Sequence, residues 1–185
     1  VKVVLASGSP QRKEILQKLG IGFEVVVPGV EELTDGDPEL LVVENAWRKA
    51  RAVEAPAGVL VVACDTDVVL DGEVLGKPAD EAEARAYLDR MSGRAHTVMS
   101  GLVVLADGGE RSGLDRSEVV FRPLSEAEKE RYVRFGEWRG RSGGYAVQTL
   151  GSTLVESVHG SVANVVGLPV GLLAELAPEL FAPHE

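Results

Sequence analysis

Two carboxylates break the most β-like stretch of the chain. Val59-Leu60-Val61-Val62-Ala63 reads as a continuous apolar strand, Asp65-Thr66-Asp67 interrupts it, and Val68-Val69-Leu70 resumes it. Ionised carboxylates inside a buried strand are costly unless they are paired or coordinated. At least one of the two is therefore expected to hold a metal ion or to activate water; a carboxylate capping its own turn is the alternative. A second chemical candidate is Ser7-Gly8-Ser9-Pro10-Gln11-Arg12-Lys13. A turn of small residues between a strand and a helix presents backbone N–H groups at the positive end of the helix dipole, and the hydroxyls with Arg12 add donors, which together suit a phosphate chain. An ordinary N-cap flanked by surface cations has the same local sequence. The dinucleotide fingerprint GxGxxG is absent.

Other residues are weaker alone. Gly72-Glu73-Val74-Leu75-Gly76-Lys77-Pro78 imitates a P-loop, but its glycines are one residue too close and Pro78 stands where a magnesium-binding Ser or Thr is required. Lys77 can still reach a phosphate as a point charge. Glu31 and Glu32 sit in an acidic loop that either completes a magnesium site or is simply solvated. Lys49 reads as a surface cation on a helix, and Gln148 either reads the edge of a nucleobase or faces solvent. Cys64 and His159 have no partner in sequence, so a core or surface role is expected for each.

These residues need elements to position them. Residues 1–6 read as a short buried strand, followed by a helix with Ser9 as N-cap, Pro10 at its first position and Gly20 closing it. A strand over 23–27 precedes a helix over 40–55. Asp71-Gly72 reads as a two-residue hairpin turn into a strand at 73–75. A helix spans 80–91, strands follow at 96–99, 101–106 and 117–121, and Ser125 to Glu128 forms a capping-box start for a helix to about Phe135. Segments 142–147 and 152–158 and a helix near 169–180 complete the pattern. The result is a mixed α/β protein, with hairpins that argue against a purely parallel sheet.

Composition bounds the ligand. The chain has 185 residues, 19 Lys+Arg against 29 Asp+Glu and a net charge of −10, with 45% hydrophobic and 26% charged residues. These are globular proportions, so wholesale disorder is excluded. One cysteine excludes a disulfide framework, and with three histidines it excludes a Cys/His zinc site. The acidic balance argues against broad binding to nucleic acid or anionic membranes, so an anionic ligand needs a local basic cluster or a metal. No apolar window reaches the roughly 18 residues of a spanning helix. The opening apolar run is too short for a secretory signal, and a cytoplasmic location is expected.

Taken together, the motifs resemble the Maf-type nucleotide pyrophosphatases, whose pattern is LASxSPRRxELL, then ADT…GKP…LSGRxHxV, then GYxIQGLGS…NVVGLPL. The chain has LASGSPQRKEIL at 5–16, ACDTDVVLDGEVLGKP at 63–78, MSGRAHTV at 91–98, GGYAVQTLGS at 143–152 and GSVANVVGLPV at 160–170, in that order and over nearly its whole length. The resemblance implies an elongated mixed β-sheet flanked by helices, like that of the inosine triphosphatases. It also implies one domain over 1–185, as a single body or as two lobes with the active-site cleft between them. The implied activity is hydrolysis of nucleoside triphosphates to the monophosphate and pyrophosphate, as a nucleotide-pool sanitising enzyme. Carried over by motif, Asp65 is the catalytic base, and Glu32 with Asp65 forms a site for a divalent cation, Mg2+ or Mn2+. Ser7, Ser9, Arg12, Lys49 and Lys77 bind the substrate's phosphates, and Gln11, Thr66 and Gln148 bear on specificity. Thr66, Lys77, Tyr145 and Gln148 resemble the subgroup acting on dTTP and UTP, which implies these or modified pyrimidine nucleotides as the substrates. Gln11 departs from it, because that subgroup has Arg there. A homodimer is implied, with no stable nucleic-acid or membrane partner. The competing expectation is a regulatory binding protein of cell division and septum formation without essential catalysis. A magnesium-dependent phosphomonoesterase would use the same carboxylates but release orthophosphate.

Overall fold

The computed structural model describes residues 1–107 and 109–182. Lys2–Ala6 (β1) leads to Pro10–Lys18 (α1), Glu24–Val26 (β2), Pro38–Arg51 (α2), Val59–Leu70 (β3), Glu73–Leu75 (β4) and Glu81–Met91 (α3). Ala95–Ala106 (β5), Gly109–Phe121 (β6), Glu126–Phe135 (α4), Val155–His159 (β7), Val162–Val166 (α5) and Val170–Leu176 (α6) follow, with short 3-10 turns at Ser142–Gly144, Thr149–Thr153 and Pro178–Leu180. Among the described residues the strands form one mixed sheet in the order β2-β1-β3-β5-β6-β7, with β4 folded back on β3. Strand β1 is parallel to both β2 and β3. Parallel neighbours need crossover segments, which α1 and α2 supply. No helix among the described residues is long and apolar enough to cross a membrane.

The helix ends follow their capping residues. Ser9 caps α1 with Pro10 in its first turn, Asp37 caps α2, Asp80 caps α3, and Ser125 with Glu128 closes a capping box on α4. Asp71 and Gly72 both have positive φ, 55° and 79°, as the two-residue hairpin turn between β3 and β4 demands.

Several predicted segments differ. Strand β3 is continuous across Asp65-Thr66-Asp67, because the buried carboxylate there finds hydrogen-bond partners instead of forcing a turn. The two strands predicted around Ser100 are one, β5, and β6 begins well before the predicted residue 117. Residues 142–147, to which the sequence assigns no type, open as a 3-10 turn in which Gly143 and Gly144 have φ of 70° and 68°. Helix α2 also stops at Arg51, short of the predicted 55.

The chain packs as two compact units. One comprises Val1–Thr66, Ser100–Asp115 and the chain from Gly167; the other comprises Asp67–Met99 and Arg116–Val166. In the first, strand periodicity sorts side chains onto two faces. Val4, Ala6, Val61, Ala63 and Val103 pack on Ala46 and Ala50 of α2. Leu5, Val62, Cys64 and Leu102 face the other way, onto Leu16 of α1 and Leu173 of α6. In the second unit, Leu70, Leu75, Leu88, Met91, Phe121 and Tyr132 build a separate core.

Helix α2 lies so close to the sheet that Gly101 of β5 has no room for a side chain. A Cβ there would sit 2.3 Å from the Val42 carbonyl oxygen. Gly101→Ala must push the helix backbone away and is expected to lower stability by about 1–3 kcal/mol. Urea denaturation checks this, and an unchanged midpoint contradicts it.

Candidate functional site

The buried stripe of α2 is Leu41, Val42, Asn45, Ala46, Lys49 and Ala50, a spacing that keeps one helical face on the sheet. Its apolar members make the core contact, and its two polar members lie one turn apart at the level of Asp65. Lys49 Nζ lies 2.5 Å from Asp65 Oδ1 and 2.6 Å from Glu32 Oε1. Asn45 Nδ2 donates to the other Asp65 oxygen at 3.3 Å. The same Asn45 amide clamps the loop before α2, accepting from Leu33 N–H at 2.8 Å and donating to Leu33 C=O at 3.0 Å. Glu32 is therefore held next to Asp65 by a backbone clamp one residue along. Asp65 is 6% exposed and Lys49 8% exposed. The expected surface role of Lys49 is corrected: it is buried between two carboxylates.

Thr66 points to the opposite face of β3, as alternation requires. There Arg12, 8% exposed, donates from Nε to Gly167 C=O at 2.8 Å, from Nη1 to Ser7 Oγ at 3.0 Å and from Nη2 to Thr66 Oγ1 at 3.2 Å. The Thr66 and Ser100 hydroxyls lie 2.8 Å apart. Ser9 N–H donates to Ser7 Oγ, while Ser9 Oγ accepts from Arg12 N–H as the helix cap and donates to Gln11 Oε1. The Arg12 guanidinium donates to neutral oxygens, and no ion pair is found for it among the described residues. A buried cation without a counter-charge is an expensive arrangement that a bound anion relieves.

The two clusters meet where β1 stops. Its pairing with β3 runs from Lys2 opposite Val59 to Leu5 opposite Val62, so β1 ends at Ala6 while β3 continues through Asp65 and Thr66. Beyond that end the flank of β3 is bordered by the Ser7-Gly8-Ser9 turn. A ligand placed off the end of β1 has Asp65 on one side and Arg12 on the other.

Lys77 and Gln148 belong to the second unit. Both are exposed. Gly143 N–H donates to Gly76 C=O at 3.0 Å, which ties the loop of Lys77 to the glycine turn that leads to Gln148. A Cβ on Gly143 would lie 2.6 Å from Val68 Cγ2, so that turn is pressed against β3. Tyr145, at its end, pairs with His96 Nε2 at 2.7 Å, and both rings stack edge-on with Phe121.

Sequence reasoning missed Asn45, Ser100 and Gly167. The helical period that marks α2's apolar stripe also includes Asn45 and Lys49, and a polar pair on a buried stripe was the available signal. Ser100 and Gly167 act through long-range contacts and left none. Among the described residues no group of three or more His, Cys, Asp or Glu side chains is gathered as a metal site. The Glu32–Asp65 pair nevertheless suits Mg2+, which is commonly held by one or two carboxylates with waters and substrate phosphates completing its shell. The two carboxylates converge on one cationic atom, Lys49 Nζ, an arrangement compatible with a cation between them.

The family model described as "Maf-like protein" matches residues 2–180. A Deinococcus radiodurans protein named dTTP/UTP pyrophosphatase is 46% identical over 177 residues, covering 95% of this chain and 91% of that protein. A Symbiobacterium thermophilum protein of the same name is 41% identical over 185 residues, covering 98% and 95%. Among solved structures, a HAM1 protein from Coxiella burnetii aligns over 65% of this chain and 73% of its own at 22% identity and a TM-score of 0.48.

Burial holds the His96 imidazolium acid at a pKa of about 4, below the usual 6.5. A base whose folded pKa is depressed takes up its proton first in the unfolded chain, so stability is lost as pH falls from 6.5 toward 4. The full effect is roughly 3 kcal/mol. Urea midpoints between pH 7 and 5 are expected to fall for the wild-type chain and to fall less for His96→Phe; parallel curves contradict this.

Proposed function

The chain belongs to the Maf-like protein family, and on that premise we propose that it is a nucleoside triphosphate pyrophosphatase, with dTTP and UTP as its substrates. The observation that carries the reading is the pairing of a buried carboxylate–lysine cluster with a buried arginine that has no counter-ion among the described residues, at the end of one strand. The names of the relatives at 46% and 41% identity support the substrate class and favour catalysis over a regulatory binding role. The cytoplasm, which holds the nucleotide pool, is the proposed compartment.

In this proposal the triphosphate lies off the end of β1. Arg12, positioned by Ser7, Thr66 and Gly167, neutralises phosphate charge, and the amides at the start of α1 add donors. Asp65 orients a water and takes its proton as the oxygen attacks the α-phosphorus; the bond from that phosphorus to the bridging oxygen breaks, and pyrophosphate leaves. Asn45 holds the Asp65 carboxylate in one orientation. Glu32 and Asp65 are the proposed ligands of a divalent ion, Mg2+ or Mn2+, which supplies charge neutralisation to the phosphates when bound. Such displacements rely on positioning and electrostatics rather than on a covalent intermediate. Lys77 and Gln148 are assigned phosphate charge and base reading from their motif positions. Gln11 accepts from Ser9 Oγ, so it supports the turn without adding the positive charge that arginine would bring.

Incubation with dTTP, UTP, CTP and GTP in the presence of Mg2+ or Mn2+, resolving pyrophosphate from orthophosphate, tests the reading. The pyrimidine triphosphates are expected to yield monophosphate and pyrophosphate; orthophosphate as the primary product contradicts it. Asp65→Asn is expected to slow turnover about 100-fold or more while nucleotide binding persists. Undiminished turnover in that variant would remove Asp65 from the mechanism.

A further inference from the structure

Lys49 has a geometry that phosphate binding alone does not explain. Its ammonium is buried and lies 2.5 Å from Asp65 and 2.6 Å from Glu32, the two carboxylates proposed above as metal ligands. We propose that Lys49 is a built-in occupant of the cation position, and that a divalent ion gains the carboxylate pair only by displacing it onto a phosphate oxygen of the nucleotide. This deepens the triphosphate reading and rests on it for the destination of the lysine.

Charge and mobility both support the exchange. Both carboxylates converge on one singly charged ammonium, so a divalent cation at the same point gains more from them than the ammonium does. An ammonium and a divalent ion cannot share the same two oxygens, since their mutual repulsion at such distances is large wherever water is scarce. The carboxylates do not need to be rebuilt when the lysine leaves. Asn45 Nδ2 keeps its bond to Asp65 Oδ2, and its clamp on Leu33 keeps the Glu32 loop in place. Lys49 itself is a point charge on a flexible four-carbon stem with rotatable donors, suited to swing between a carboxylate and a phosphate. By linkage, whatever the nucleotide gains from the metal the metal gains from the nucleotide. In the absence of nucleotide, the lysine suppresses metal binding and leaves Asp65 occupied.

The test is a nucleotide-free titration with Mn2+, reading free ion by electron paramagnetic resonance. Lys49→Met is expected to bind Mn2+ at least tenfold more tightly than the wild-type chain, and Lys49→Gln, which keeps a polar side chain in the same place, to shift in the same direction. Adding Asp65→Asn to Lys49→Met is expected to abolish the gain, which assigns it to this pair. Affinity no tighter than wild type in folded Lys49→Met or Lys49→Gln overturns the proposal, as does a gain that survives in the double variant. No substrate enters this titration. Failure to release pyrophosphate would overturn the substrate reading and leave these affinities standing, whereas unimproved Mn2+ binding would overturn the exchange and leave the substrate reading standing.

Discussion

The ion pair between Asp65 and Lys49 is the constraint on which the rest of the first unit depends. A carboxylate in the middle of a buried strand disrupts folding unless something satisfies it, and breaking such a pair by removing one partner costs far more than its net contribution suggests. Satisfying Asp65 requires helix α2 to lie close against the sheet. That in turn requires a glycine at position 101, and it brings Asn45 onto the remaining carboxylate oxygen. Asn45 then fixes the backbone of Leu33, and Glu32 follows. One buried charge therefore organises a strand, a helix, a loop and a neighbouring strand.

Arg12 is the complementary case. Its guanidinium is bonded to three neutral oxygens from three separate segments of chain, the first turn, β3 and the start of the last helical segment. Those bonds fix its position without neutralising it. A site that anchors a cation by neutral acceptors keeps its charge available to an anionic ligand, a local positive potential within a chain whose total charge is −10.

Local chemistry was legible in the sequence wherever a residue acts on its own neighbours. The Ser9 cap, the Asp71-Gly72 turn and the Ser125–Glu128 capping box follow from short-range rules and reappear in the structure. The unpaired cost of a carboxylate at Asp65 was equally readable. What sequence could not supply was the identity of its partner. Lys49 lies 16 positions away on a helix, where it reads as a surface cation, and without that partner in view the carboxylate reads as an interruption of β3. The conformation of residues 142–147 was not legible for a different reason: Gly143 and Gly144 adopt left-handed backbone against Val68 and Pro78, contacts made only once the chain is folded. The division of Asp65 and Thr66 onto opposite faces of β3 follows from simple alternation, yet it acquires meaning only when α1 and α2 are known to cover those faces.

The central claim is that Asp65 directs water to the α-phosphorus of a nucleoside triphosphate. Hydrolysis of dTTP in 18O-labelled water, with mass spectrometry of both products, tests it most directly. The account predicts the label in the nucleoside monophosphate and unlabelled pyrophosphate. Label in the pyrophosphate, or in released orthophosphate, would contradict it.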